Sequence, residues 1–349
     1  MSVKKRFGKL AMLTMLLGAM TVTSCEENIF ADDDDCTLYS RIKFKYDMNM
    51  KFADAFANSV DHVELCIYDA VTGKLVHRQV ESGSALSRQD YVMEFAALTC
   101  GTYDMLAWCG NGLHDGNFDV PAQHLGESEI TSATCTMDRE EGGLVTKDVK
   151  QLFHGTKRIT IDKTYGVHND TISLTKNTNT VRVVLQHLSG LDVDPNDFIF
   201  EIKDENGLMA HDNALLDDEV ITYSPWSVTA GSAGVDADIY RSATRAQTSV
   251  SVALAEFTIG RLMTQNNPVL SIYNVQEGEK VLSIPLKDYA LLVKGNYNKK
   301  MDDQEYLDRQ DEYNLTFFLD EHGQWVTSRI IINSWSVVFN NTDLKTKND

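Results

Sequence analysis

Hydrophobic and polar residues alternate with period two in short stretches along most of the chain. Ile42, Phe44 and Tyr46 alternate with Arg41, Lys43 and Lys45, and Val63, Leu65 and Ile67 alternate with Glu64 and Cys66. Successive side chains of a strand point to opposite faces, so this pattern predicts half-buried β-strands. Between these two lies a less regular segment, Met48 to Ser59, read as a short helix or a loop. Asp69 to Gly73 form a turn and Leu75 and Val76 resume the pattern, which predicts a hairpin. Tyr91 to Phe95, Thr102 to Cys109 and Arg158 to Asp162 predict further strands, with a helical turn and loop in Leu144 to Thr156.

The pattern pauses near Lys163 to Asn169, which predicts a domain boundary between residues 165 and 166. Alternation restarts at Ile172 and Leu174, turns at Lys176 to Asn179 and continues through Val181, Val183 and Leu185. Phe198, Phe200 and Ile202 predict a strand ending in the turn Asp204 to Gly207. After a long loop containing Pro225 and Trp226 comes a strand from Ser249 to Phe257. Leu270 to Val275 and Val281 to Ile284 flank a turn, and Tyr313 to Leu319 with Trp325 to Val338 predict a last hairpin. Short strands at this spacing predict sandwiches. The expected fold class is therefore all-β, with two tandem β-sandwich domains at 37–165 and 166–340 and a short polar tail at 341–349.

The front of the chain breaks the pattern. Lys4, Lys5 and Arg6 precede an apolar run from Leu10 to Val22, then Thr23, Ser24 and Cys25. This is the arrangement of a secretory signal, residues 1–24. A run of about 13 residues is too short to cross a bilayer, which takes about 20. Cys25 resembles the acceptor cysteine of a bacterial lipobox, with Val22 where leucine is usual and Thr23 where alanine or serine is common. Lipidation at Cys25 would add about 0.8 kcal/mol of membrane affinity per buried methylene. Glu26, Glu27 and Asp32 to Asp35 make residues 25–36 an acidic linker. It resembles the surface-export signal of Bacteroidales-type lipoproteins and also reads as a solvated, self-repelling spacer.

Of the 349 residues, 43% are hydrophobic, enough for real cores, and the formal net charge is −19. Loss of the four signal cations Lys4, Lys5, Arg6 and Lys9 brings it to −23. Such a surface repels nucleic acid and anionic membrane. With Cys25 lipidated, Cys36, Cys66, Cys100, Cys109 and Cys135 remain, room for one or two disulfides in an exported protein. Cys100 and Cys109 flank one expected strand, about 30 Å apart, and are not expected to pair. No C-x-x-C occurs, so neither zinc-ribbon nor thioredoxin chemistry is indicated.

No catalytic, cofactor-binding or metal-binding residue emerges. The nine histidines show no H-E-x-x-H spacing, and no G-x-S-x-G or Walker loop is present. Asp192, Asp194, Asn196 and Asp197 approach a calcium loop, but Asp197 and Lys203 stand where an EF-hand needs glycine and glutamate. They read as a loop or helix cap with Asp-Pro turn chemistry. The pairs Asp217/Asp218 and Asp302/Asp303 read as solvated carboxylates, and Trp108, Trp226, Trp325 and Trp335 as packing residues. Asp170-Thr171-Ile172 resembles the short sequence glycosylated in Bacteroidales-type export, with Thr171 as acceptor. The expectation is a protein without enzymatic activity.

Longer blocks carry a family resemblance. Arg41 to Asn49, Phe52 to Phe56 and Val60 to Leu65 look like the opening of the FimB-type fimbrillin anchor family. Leu152-Phe153-His154-Gly155, Met301 to Tyr313, and Ile330 to Val338 with Asn333-Ser334-Trp335 are similar to its later blocks. The resemblance implies an outer-membrane, surface-exposed lipoprotein of two transthyretin-like sandwiches. Such a protein holds the base of a type V pilus and joins fimbrillin stalk subunits by strand exchange. In that mode main-chain hydrogen bonds supply affinity and side-chain pockets supply register. A receiving groove is expected in the first sandwich, with Arg41 to Lys45 either bordering it or forming an ordinary first strand. About ten residues follow Val338, without a long apolar tail to donate, which suits a terminal anchor. The alternative is a surface lipoprotein of related fold that binds host glycans or proteins. Neighbouring genes for stalk and tip pilins, or a polysaccharide-utilisation cluster, would separate the two.

Overall fold

A computed structural model describes residues 38–96, 98–110, 112–234, 249–295 and 298–338. The signal, Cys25, Cys36, the acidic linker, the polar tail and the side chain of Trp335 lie outside the described residues. The first half contains β1 (Leu38–Lys45), α1 (Phe56–Ser59), β2 (His62–Asp69), β3 (Leu75–Ser82), β4 (Met93–Ala96), β5 (Gly101–Cys109), β6 (Phe118–Asp119), β7 (Cys135–Met137), β8 (Leu144–Val145), β9 (Phe153–Ile161), β10 (Gly166–Ser173) and β11 (Thr175–Lys176). The second contains β12 (Thr178–His187), β13 (Phe198–Asp204), β14 (Leu208–Met209), β15 (Ile221–Tyr223), β16 (Ser227–Gly234), β17 (Ser249–Gly260), β18 (Val269–Asn274), β19 (Lys280–Pro285), α2 (Leu286–Leu292), α3 (Asp303–Arg309), β20 (Glu312–Leu319), β21 (Trp325–Ile332) and β22 (Trp335–Val338).

In the first sandwich a three-stranded sheet, β10-β1-β4, faces a five-stranded sheet, β11-β9-β5-β2-β3. Ile42 and Phe44 from one, and Val63, Leu65, Ile67, Met105 and Ala107 from the other, fill the space between them. Phe44 stacks on Phe56 of α1 at 5.8 Å, which pins the irregular segment after β1. The second sandwich sets β16-β17-β12-β20-β21-β22 against β19-β18-β13-β15-β8. Val181, Val183, Leu185, Leu315 and Phe317 lie in its core.

The halves are interlocked. β8, from the first half of the sequence, pairs in parallel with β15, and β14, from the second half, pairs with β7 in a small fifth sheet, β14-β7-β6. The outer face of the five-stranded sheet carries Cys66, Tyr68, Leu106 and Trp108, which belong to the same apolar cluster as the second core. β2 is thus buried on both faces, including Glu64 and Cys66, where alternation had predicted one wet face.

Several expectations change for tertiary reasons. β10 pairs with β1 along its length and β11 with β9, so sheet membership passes to the second half at Asn177, beyond the break expected at 165/166. Val181 to Leu185 lie in β12, between β17 and β20, so the segment Lys176 to Asn179 leads from the first sandwich into the second. Leu144 to Thr156 is not helical: its ends are β8 and β9, drawn into two different sheets. Trp325 to Val338 is not one strand, because Asn333 adopts φ 54° and turns the chain back as β22. Cys66, Cys109 and Cys135 are buried free thiols and Cys100 an exposed one, so no disulfide joins these four. Cys66 and Cys109 sit on neighbouring strands but point into different cores.

Candidate functional site

Four of the blocks that carry the family resemblance, Arg41 to Asn49, Phe52 to Phe56, Leu152 to Gly155 and Met301 to Tyr313, meet where the two sandwiches join. After β1, Asp54 Oδ1 accepts the backbone N–H groups of Tyr46 and Phe56, both at 3.1 Å. Asn49 Nδ2 donates to the carbonyls of Tyr46 (3.0 Å) and Ala53 (2.9 Å). Short polar side chains that bond nearby backbone hold such loops in one shape. Phe52, at φ 53°, projects from this loop.

α3 grips the loop from the other half. Asp302 caps the helix by accepting the Glu305 N–H at 2.6 Å, the usual device for an orphan N-terminal donor. Arg309, in its last turn, donates to the carbonyls of Asp47 (2.9 Å) and Asn49 (3.4 Å), and its guanidinium lies 4.3 Å from the Phe52 ring centroid. Glu305 accepts from Arg309 Nε at 2.8 Å and orients it. Two residues on, Asp311 accepts from the buried Lys176 at 2.8 Å, between the last strand of the first half and the second sandwich. Burial, and then the Asp311 charge, push the Tyr46 hydroxyl pKa up.

Behind these contacts the polar links are buried. Arg261 and Asp308 form a two-pronged ion pair with both distances at 2.7 Å, and Arg261 also donates to the Asn213 carbonyl at 3.1 Å. Asn177 and Asn213 exchange amide hydrogen bonds of 2.6 and 3.1 Å. The Leu152 carbonyl accepts from Asn177 N–H at 2.7 Å. His154 is bonded through Nε2 to the His211 carbonyl at 2.8 Å, and its ring meets Trp108 edge-on at 4.6 Å. Buried groups of this kind are favourable only when all are paired, so they hold one relative placement of the halves. A cleft of about 620 Å³ opens beside the clamp, lined in part by Met50, Lys294, Tyr306, Gln310 and Asn314.

Two buried groups make opposing contributions to the pH dependence of stability. Burial lowers the His154 pKa to about 4, so stability from its neutral ring is complete above the unfolded value near 6.5 and is lost as pH falls towards 4. Burial raises the Asp204 pKa to about 6. Its contribution is complete below the unfolded value near 3.8 and is lost as pH rises through 6. Asp204 Oδ1 accepts from Glu205 N–H at 2.9 Å and from Asn266 at 3.1 Å, while Oδ2 has no partner among the described residues. Asp204→Asn is therefore expected to stabilise by about 2–3 kcal/mol at pH 7.5 and to have little effect at pH 4. Urea midpoints at the two pH values check this, and an equal effect at both would refute it.

The other residues singled out from sequence are placed as follows. Asp194 accepts from Asn196 N–H at 2.9 Å and caps a single 3₁₀ turn. Asp218 pairs with Arg139 at 2.8 Å, and Asp303 with Lys294 at 2.6 Å. Trp108 is buried, Trp325 packs edge-on against Phe317 at 5.8 Å, and Trp226 is 37% exposed. Thr171 is half-buried on β10, opposite Lys43 of β1. Arg41 to Lys45 lie in β1, paired with β10 along one side, while β4 lies beside Arg41 and Ile42 on the other. Arg309, Asp311, Lys176, Arg261 and Asp308 were not singled out individually. Three of them lie in the Met301 to Tyr313 block, but their partners are distant in sequence.

Comparison with known proteins bears on this architecture. The profile of a family described as fimbrillin-A associated anchor proteins Mfa1 and Mfa2 matches residues 32–341. The structure of a candidate adhesin from Bacteroides thetaiotaomicron is 32% identical, with a TM-score of 0.78, covering 88% of this chain and 100% of that one. A candidate polysaccharide-binding protein from the same organism is 33% identical, with a TM-score of 0.74 and coverage of 88% and 100%. The fimbrial anchor protein Mfa2 from Porphyromonas gingivalis shares the fold at 16% identity, with a TM-score of 0.65 and coverage of 87% and 100%. No curated protein matches the chain.

Proposed function

Because the chain belongs to the family of fimbrillin-A associated anchor proteins, we propose that it holds the base of a type V pilus at the outer membrane. In this reading acyl chains on Cys25 fix it in lipid and the acidic linker gives reach. Its sandwiches receive the first stalk subunit by β-strand complementation. The observation that carries the proposal is the family match across residues 32–341, which spans both sandwiches and the junction between them. Family membership implies association with fimbrial subunits at the cell surface and a role that is not catalytic in kind.

The interlocked halves suit an anchor, since a filament pulling on one sandwich is resisted by strand pairing, a shared core and the Arg309 clamp together. We assign the receiving edge to the first sandwich, whose long outer strands are β10 and β3. Its long edges carry charge, Asp170 on β10 and Arg78 and Glu81 on β3. Charge of both signs at an edge gives an incoming strand a register and excludes wrong partners.

A Cys25→Ala strain tests the proposal. Fimbriae are expected to be shed into the medium and the protein to leave the membrane fraction. Fimbriae of normal length still attached to the cells would overturn it. A second reading, a surface lipoprotein that binds glycans, is favoured by the 33% identical candidate polysaccharide-binding relative. Retention on a glycan array, with fimbriation unaffected by deletion of the gene, would favour it over the anchor.

A further inference from the structure

Among the described residues, six of the sheet edges are strands of only two to four residues: β4, β6, β8, β11, β14 and β22. Four longer edges remain, and three of them are guarded. β3 carries Arg78 and Glu81, and its first residue is covered by hydrogen bonds with Ser128 and Gly126. β10 carries Asp170, held by Lys157 at 2.5 Å. β19 begins at Lys280 and ends at Pro285. Charge, proline and cover keep an edge from pairing with a second copy or with any strand that does not match it.

Among the described residues, β16 has none of them. Its sequence, Ser-Val-Thr-Ala-Gly-Ser-Ala-Gly, has no charge and no proline. Its ladder with β17 runs without a bulge from Ser227 opposite Glu256 to Gly234 opposite Ser249. Val228 to Ser232 are exposed on both faces, so the strand is a thin margin beyond the core. No strand pairs with its outer side among the described residues.

We infer that the β16 edge pairs antiparallel with the β16 edge of a second copy of this chain. Charge selects the occupant. With a net charge of −19, most faces of the molecule would set carboxylates against carboxylates when two copies meet. The β16 edge meets itself without charge. A two-fold axis beside Ala230 places Ala230 opposite its own copy, Thr229 opposite Gly231, Val228 opposite Ser232 and Ser227 opposite Ala233, and joins the two six-stranded sheets edge to edge. A foreign strand would find neither pockets nor charges there to set its register. Seven residues per copy, Ser227 to Ala233, make a small interface, so the dimer is weak and reversible.

Sedimentation of the full chain in detergent, with hydrogen exchange on the same samples, tests the inference. Wild-type protein is expected to pass reversibly from monomer to dimer as concentration rises, with amides in 227–234 becoming slower to exchange. Ala230→Lys sets two cations side by side across the axis and is expected to raise the dissociation constant about tenfold or more. An equal mixture of Ala230→Lys and Ala230→Glu is expected to recover the dimer, which a folding defect in either variant would not do. A chain that stays monomeric, a dimer without protection at 227–234, or an Ala230→Lys variant that dimerises as the parent does would each overturn the inference.

Discussion

Asp308→Ala is expected to destabilise the protein by about 3–5 kcal/mol, read as a fall in the urea midpoint. Asp308 accepts from Arg261 Nε and Nη2 at 2.7 Å and from Gln304 at 2.9 Å, and both members of the ion pair are about nine-tenths buried. Removing the carboxylate leaves a guanidinium out of water with only the Asn213 carbonyl to bond. That uncompensated charge accounts for most of the loss. Replacing both partners, Arg261→Met with Asp308→Leu, is expected to recover most of the stability, because the desolvation cost of both ions disappears with them. The exposed pair Arg88 and Asp90, 67% and 75% accessible, is the control: Asp90→Ala should leave the urea midpoint essentially unchanged. A loss of 1 kcal/mol or less for Asp308→Ala would mean that water reaches Arg261, and that the junction is not closed as described.

The same pair illustrates what the sequence could and could not disclose. Period-two alternation located most of the long strands, because each has at least one face against a core and the pattern is local. It failed where a segment answers to distant partners. β2 looks one-sided because Glu64 and Cys66 are polar or small, yet Glu64 is buried by Arg78 and His114, at 2.8 and 3.1 Å. β10 looked like the start of a second domain because it follows a polar pause, and only its ladder with β1, more than a hundred residues earlier, returns it to the first sandwich. α2 and α3 are seven residues each, with two or three buried side chains, too short for a helical period to stand out from noise. The junction was legible only as a family resemblance. Asp302 to Asp311 reads as an acidic, solvated stretch by composition, and the cations that bury part of it, Lys176 and Arg261, lie 135 and 47 residues from their partners.

Gly110→Ala is expected to cost at least about 4 kcal/mol, or to prevent accumulation of folded protein. Two effects coincide there. Gly110 adopts φ +115°, a conformation open to glycine and strained for any L side chain, and an added Cβ would overlap the carbonyl oxygen of Gln151. Because the obstacle is backbone, no rotamer change relieves it. Gly73→Ala separates the two effects. Gly73 sits at φ +70° in the turn after β2 and an added Cβ there meets nothing within 4 Å, so only the left-handed backbone conformation is penalised, about 1–2 kcal/mol. The difference between the variants isolates the close approach of the two chain segments. Gly110 follows β5 and its N–H bonds to the His62 carbonyl at 2.8 Å, while Gln151 immediately precedes Leu152, whose carbonyl binds Asn177 at the junction. Forcing these segments apart would therefore displace the start of β9 and with it the His154 contact to the second half. If Gly110→Ala melted within 1 kcal/mol of Gly73→Ala, the segments could separate without loss, and the first sandwich would not set the position of the clamp.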